Sequence, residues 1–204
     1  MLEYEKKVLL TKEEYSALIG LKDEVLNEEQ TNYYFDTNSF DMNRKGITCR
    51  IRQKDGIYKA TVKHHDTVYS GRSTEEDIYE GSEYNASFFE ALGLHIQGEL
   101  ITIRALLFTD PYCEIVLDKN AYLGDMDFEI EVEYAEEYEE KALDYLKDIA
   151  AYMASLQLID STDAFLHRVG KGKSKSERFF ERKQQVGGDG SVVYFRRNHK
   201  TEIK

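Results

Sequence analysis

Carboxylates and basic side chains recur at alternate positions in several short segments of this chain, each set opposed by apolar residues. In 2–10, Glu3, Glu5 and Lys7 fall opposite Leu2, Tyr4 and Val8. In 47–52, Thr48, Arg50 and Arg52 oppose Ile47, Cys49 and Ile51, and in 57–63, Lys59, Thr61 and Lys63 oppose Tyr58, Ala60 and Val62. Thr102 and Arg104 share one face, and Glu129, Glu131 and Glu133 oppose Phe128, Ile130 and Val132. Acids and bases are segregated. The two basic segments carry almost no acid on their charged faces, whereas 3–7 and 129–133 carry acids in pairs. Carboxylates at alternate positions can hold a hard cation such as Mg²⁺ or Mn²⁺ through oxygen. Facing Arg and Lys side chains can clamp phosphate oxygens, Arg in bidentate fashion. Together they would neutralise charge that develops during phosphoryl transfer. No Ser/His/Asp arrangement or Walker-type glycine loop competes with this chemistry.

A repeat of two means β-strand. A sheet with one charged and one apolar face can leave the charged face in water. Closing the sheet into a barrel instead removes its edges and turns the charged face into a lining. The apolar face then points outward and needs covering, for which helices are predicted at 12–19, 85–92 and 136–157. Thr11-Lys12-Glu13-Glu14 reads as a capping box opening the first of these. In the last, Tyr138, Ala142, Tyr145, Leu146, Ile149 and Met153 recur at steps of three and four. Further strands are predicted at 31–37, 67–79, 99–107 and 112–118, with a hairpin turn at Lys54-Asp55-Gly56. The expected fold class is α+β, a closed antiparallel barrel with flanking helices.

Bulk properties set the limits. The 204 residues suffice for one domain, 41% are hydrophobic, and 15 Tyr and 10 Phe favour ordered packing. A formal net charge of −12 argues against nucleic acid as a partner, which needs a basic footprint. It leaves room for a basic pocket inside an acidic shell. Cys49 and Cys113 are too few for a disulfide framework and read as buried thiols in a reducing compartment. With no membrane-length apolar run and no signal-peptide pattern, the cytoplasm is expected.

Glu3-x-Glu5-x-Lys7 at the start of the first strand resembles the signature of the CYTH superfamily, the triphosphate tunnel metalloenzymes. The other elements follow in order: Arg50-x-Arg52, Lys59-Ala60-Thr61-Val62-Lys63, Arg104 after Ile101-Thr102-Ile103, and Asp118 followed by Gly124 and Glu129-x-Glu131. Lys173-Ser174-Lys175 with Arg178-Phe179-Phe180 is similar to the closing lysine element. The resemblance covers about residues 1–180. It implies an eight-stranded tunnel barrel, with Glu3 and Glu5 as metal carboxylates facing Glu129 and Glu131, and Asp118 in support. It also implies Arg50, Arg52, Lys59, Lys63 and Arg104 as phosphate ligands, Lys7 touching phosphate or the carboxylates, and Lys175 approaching from the C-terminal segment. In 70–80 the family's Arg/Glu alternation is less distinct. Arg72 and Glu76 share parity, and are added to the phosphate and metal sets respectively.

The activity so implied is metal-dependent hydrolysis of a triphosphate, foremost inorganic triphosphate, by a monomer or homodimer. A class IV-type adenylyl cyclase and a thiamine triphosphatase are alternatives, as is a non-catalytic triphosphate or polyphosphate sensor. His64-His65 reads as a surface pair. Residues 181–204 read as an appendage, flexible or one hairpin, beyond a domain of 1–180.

Overall fold

The computed structural model describes residues 2–21, 27–66, 68–69 and 71–187. Eight strands form a closed antiparallel barrel in the order β1-β5-β4-β3-β2-β6-β7-β8. They are β1 (Leu2–Leu10), β2 (Asn27–Asp36), β3 (Ile47–Lys54), β4 (Ile57–His65), β5 (Arg72–Gly81), β6 (His95–Thr109), β7 (Cys113–Tyr122) and β8 (Asp125–Tyr134). Helices α1 (Lys12–Ile19), α2 (Asp41–Arg44), α3 (Ser87–Ala91), α4 (Glu139–Ser155), α5 (Thr162–Leu166) and α6 (Lys175–Val186) flank them. No helix among the described residues is long and apolar enough to cross a membrane.

The apolar strand faces point outward and are covered, as the alternation requires. Val8, Leu10, Leu117, Ile130 and Val132 pack under Leu18 of α1, Ala142, Leu146, Ala150 and Met153 of α4, and Phe165 of α5. Phe35, Cys49, Ile51 and Ala60 pack under Phe89 of α3. The predicted capping box of α1 is present: Thr11 Oγ1 accepts from the Glu14 amide at 3.1 Å, and Glu14 Oε2 accepts from the Thr11 amide at 2.7 Å.

A third cluster lies inside the barrel. Tyr34, Leu100 and Tyr122 meet Phe179 and Phe180 of α6. Tyr34 and Phe179 ring centroids are 4.9 Å apart. Gly98 (φ 147°) makes room for this contact, since a Cβ there would lie 2.9 Å from Phe179 Cζ. The barrel interior therefore has a charged half and an apolar half, the latter stoppered by α6.

The pairing of β1 is unequal. It shares seven register positions with β8 (Tyr4–Leu10) but three with β5 (Leu2–Tyr4). Among the described residues, the β5 side continues through the Glu5 amide donating to the Gly71 carbonyl at 2.8 Å. A Cβ at Gly71 would lie 2.1 Å from the Glu5 carbonyl oxygen, so this close backbone approach requires glycine.

Several boundaries differ from expectation. β5 begins at Arg72 rather than 67, and Thr67 and Ser70 lie outside the described residues. The segment from 136 begins as a 3₁₀ turn (Glu136–Tyr138) before α4. α6 crosses position 180 without a break. Its start is fixed by a second capping box, in which Ser174 accepts from the Glu177 amide and Glu177 from the Ser174 amide. The remainder of the expected appendage, 188–204, lies outside the described residues.

Candidate functional site

The charged strand faces enclose a cavity of about 430 Å³ open at the Leu2 and Tyr134 end. Glu3, Glu5 and Lys7 line it from β1, Arg50 and Arg52 from β3, Lys63 from β4, Arg104 from β6, Glu131 and Glu133 from β8, and Lys175 from α6. Asp118 and Glu129 are completely buried behind this wall.

The basic wall differs from residue to residue in how well it is neutralised. Arg50 Nη2 donates to Glu75 Oε2 at 2.7 Å, and its Nε to Thr61 Oγ1 at 3.2 Å. Lys63 pairs with Glu3 at 2.9 Å and Lys7 with Glu5 at 3.0 Å. Arg104 forks onto Asp118 at 2.9 and 2.7 Å, and reaches Glu131 at 2.5 Å and Glu133 at 3.2 Å. Arg52 stands apart. Its Nε donates to Asn32 Oδ1 at 3.1 Å, and among the described residues no carboxylate forms an ion pair with it. Burial, with Arg50 beside it, pushes its guanidinium down to about 10, Glu75 only partly opposing.

The acidic wall has two levels. At the inner level Lys175 Nζ lies 2.8 Å from Asp118, 2.6 Å from Glu129 and 2.8 Å from Glu131. Arg178 adds bonds to Asp127 at 2.7 Å and Glu129 at 3.1 Å. Burial alone would raise the Glu131 carboxyl, but Lys175, Arg104 and Lys7 hold it well below the usual range. Burial would likewise lower the Lys175 ammonium, and the three carboxylates hold it well above its ordinary value. At the outer level Glu5 and Glu133 stand directly opposite in the β1–β8 register. There the Glu133 carboxyl is raised by lost hydration and by Glu131 and Glu5, against the pull of Arg104.

Besides the buried Asp118 and Glu129, three further residues expected at the site are placed outside the cavity lining. Lys59 sits toward the hairpin end of β4, more than a third exposed, and pairs with Asp77 at 2.8 Å. Arg72 opposes outward Tyr4 in register, binds Asp66 through Nε at 2.7 Å, and lies over the Tyr69 ring at 4.4 Å. Glu76 is exposed and pairs in register with Val62. Arg72 and Glu76 do share parity, but the inward parity of β5 is the other one. Ser73 lies across from Glu3, and Glu75 across from Lys63. Glu75 is thus the acid that reaches the basic wall.

His65 corrects the surface reading of the histidine pair. His64 is exposed, whereas His65 lines the cavity with its Nε2 3.1 Å from Thr48 Oγ1. Burial, then Lys63 and Lys7, lower its imidazole to about 4. Thr48 Oγ1 is in turn 2.7 Å from Ser176 Oγ on α6. The shared parity of Lys63 and His65 was the available signal. For Arg178, the signal was the capping box that places it one turn into a helix.

All donors on the acidic wall are carboxylate oxygens, a set that suits a hard divalent cation. Glu3, Glu5 and Glu133 lie at the mouth, paired one to one with Lys63, Lys7 and Arg104, whereas the inner trio Asp118, Glu129 and Glu131 shares the single Lys175 ammonium.

The CYTH domain profile matches residues 1–163. The YjbK protein of Bacillus subtilis, assigned as a triphosphatase, is 35% identical over 155 residues, covering 68% of this chain and 80% of that one. A Bacillus halodurans protein assigned as an adenylate cyclase shares the fold (TM-score 0.60, 24% identity, 87% of this chain and 97% of that one). So does HpAC1 from Hippeastrum, assigned as an adenylyl cyclase but with a dominant triphosphatase activity (TM-score 0.59, 16% identity, 88% and 95%). With its eight-stranded closed barrel and a profile match over most of its length, this chain belongs to the CYTH domain family.

Proposed function

We propose that this chain is a metal-dependent triphosphatase whose principal substrate is inorganic triphosphate. The observation that carries this reading is Arg52, a cation deep in the cavity with an amide oxygen for a partner and a second arginine beside it. Such a charge is costly unless something compensates it, and a phosphate oxygen does so. Arg50 and Arg52 present two guanidinium groups from β3, and Arg104 a third from β6, two strands away. Lys63 and Lys7 are held by Glu3 and Glu5, and would turn to phosphate once those carboxylates carried a divalent cation.

A cation held by Glu3, Glu5 and Glu133 would supply charge neutralisation and a more acidic bound water. The rest falls to the chain. Phosphoryl transfer is chiefly positioning and electrostatic stabilisation. The basic wall aligns the phosphates, and the α6 stopper keeps water from the inner end, strengthening each contact. Sequence resemblance to YjbK, assigned as a triphosphatase, supports the same substrate class.

The test is incubation with triphosphate, ATP and thiamine triphosphate, each with Mg²⁺ or Mn²⁺, measuring phosphate, pyrophosphate and cyclic AMP. Phosphate release from triphosphate, abolished by chelator, is expected. Cyclic AMP as main product would overturn the hydrolase reading, and tight triphosphate binding without any turnover would overturn the enzyme reading.

A further inference from the structure

Asp118, Glu129 and Glu131 each bring one carboxylate oxygen within 4.8 Å of the others, and all three residues are buried. As a donor set this would suit a divalent ion, but the Lys175 ammonium already touches all three at 2.6–2.8 Å. Arg104 reaches Asp118 and Glu131 as well as Glu133, and Arg178 reaches Glu129 as well as Asp127, so each member of the trio touches a second cation besides Lys175. An ion bound at the roughly 2.0–2.6 Å typical of Mg²⁺ or Ca²⁺ oxygen ligands would fall on the ammonium. The two cannot share the place.

Nor is Lys175 a loose surface side chain. It is the first residue of α6, between the cap residue Ser174 and Ser176, whose hydroxyl is bound to Thr48. The helix is anchored one turn on by Phe179 and Phe180 in the apolar half of the barrel.

We infer that Lys175 is a resident counter-cation standing where a second divalent ion would otherwise bind, so that this chain takes one metal ion, at the mouth, rather than two. This deepens the proposed function and rests on it for the mouth ion alone. α6 then sets the metal stoichiometry. Substitution of one lysine converts a one-ion tunnel into a two-ion tunnel.

The experiment counts Mn²⁺ bound to the full chain without substrate, by electron paramagnetic resonance of the free ion, and records thermal melting with Mn²⁺ or with chelator. Wild type is expected to bind one ion, Lys175→Met two, and Lys175→Met/Glu129→Gln one. Lys175→Met should melt lower than wild type in chelator and gain more than wild type from Mn²⁺. Two ions on wild type, or an unchanged count on folded Lys175→Met, would overturn the inference. If Lys175→Met does not fold, Glu129→Gln alone decides. An unchanged count of one places the ion at the mouth, and a lost ion places it in the trio and defeats the inference. No ion on wild type with one on Lys175→Met would uphold the role of Lys175 while defeating the metal reading of the mouth.

Discussion

Arg52 and Asn32 stand opposite each other in the β2–β3 register, and the 3.1 Å bond from Arg52 Nε to Asn32 Oδ1 is the hydrogen bond that holds this guanidinium in the wall. The site is therefore assembled with one positive charge poorly compensated, which costs the empty protein stability and rewards a bound polyanion. Arg52→Met should separate the two effects. Its melting temperature should equal or exceed that of wild type, while triphosphate affinity falls roughly 10- to 100-fold, as expected for about 1.5–3 kcal/mol of charge-assisted hydrogen bonding. Calorimetric binding and melting on the same sample check this. Lower melting with unchanged affinity would make Arg52 structural.

Glu5 is bonded to Lys7 at 3.0 Å and faces the cavity mouth. Glu5→Gln keeps the shape and removes one negative charge. Turnover should disappear, while stability changes by no more than about 1 kcal/mol, the scale of a partly exposed pair. A large loss of stability in urea unfolding would assign Glu5 to the scaffold instead.

His65 gives stability a pH signature. Its folded-state value is about 4 against about 6.5 unfolded, because burial and then Lys63 and Lys7 favour the neutral ring. Above 6.5 neither state takes the proton and the contribution is intact. As pH falls from 6.5 towards 4 the unfolded chain binds a proton that the folded one refuses, so stability is lost across that window. In His65→Gln the slope of unfolding free energy against pH there should be smaller by up to about one proton. Identical slopes for the two proteins would contradict this.

Gly98 tests the stopper. Alanine there would meet Phe179 at 2.9 Å and would also have to adopt a φ of 147°. Gly98→Ala should lose about 1–3 kcal/mol and become more susceptible to proteolysis within 175–186. Wild-type melting and cleavage in this variant would show that α6 has slack at that point.

The barrel was legible because its chemistry is periodic. The strands with charge at alternate positions, from Glu3-Glu5-Lys7 to Glu129-Glu131-Glu133, turned most of that charge inward, with Lys59 at the hairpin end of β4 the exception. β5 was not, because a strand's phase is set by its partners. Only the pairing of Ser73 with Glu3 and of Glu75 with Lys63 reveals that Glu75, not Glu76, points in. α6 escaped for a different reason. Its buried aromatics Phe179 and Phe180 are adjacent, so no three- or four-residue repeat announces a helix, and its placement depends on a tertiary contact with Tyr34. That contact is also what brings Lys175 to the acids.

The three-position seam between β1 and β5 has a practical corollary. Leu2 itself borders the cavity, so any peptide fused ahead of it emerges beside Glu3 and Glu5, across the least-paired join in the wall. An affinity tag placed there would compete with substrate for the opening and pry at the join. Amide exchange should accordingly be fastest along that line, and purification handles belong at the other terminus.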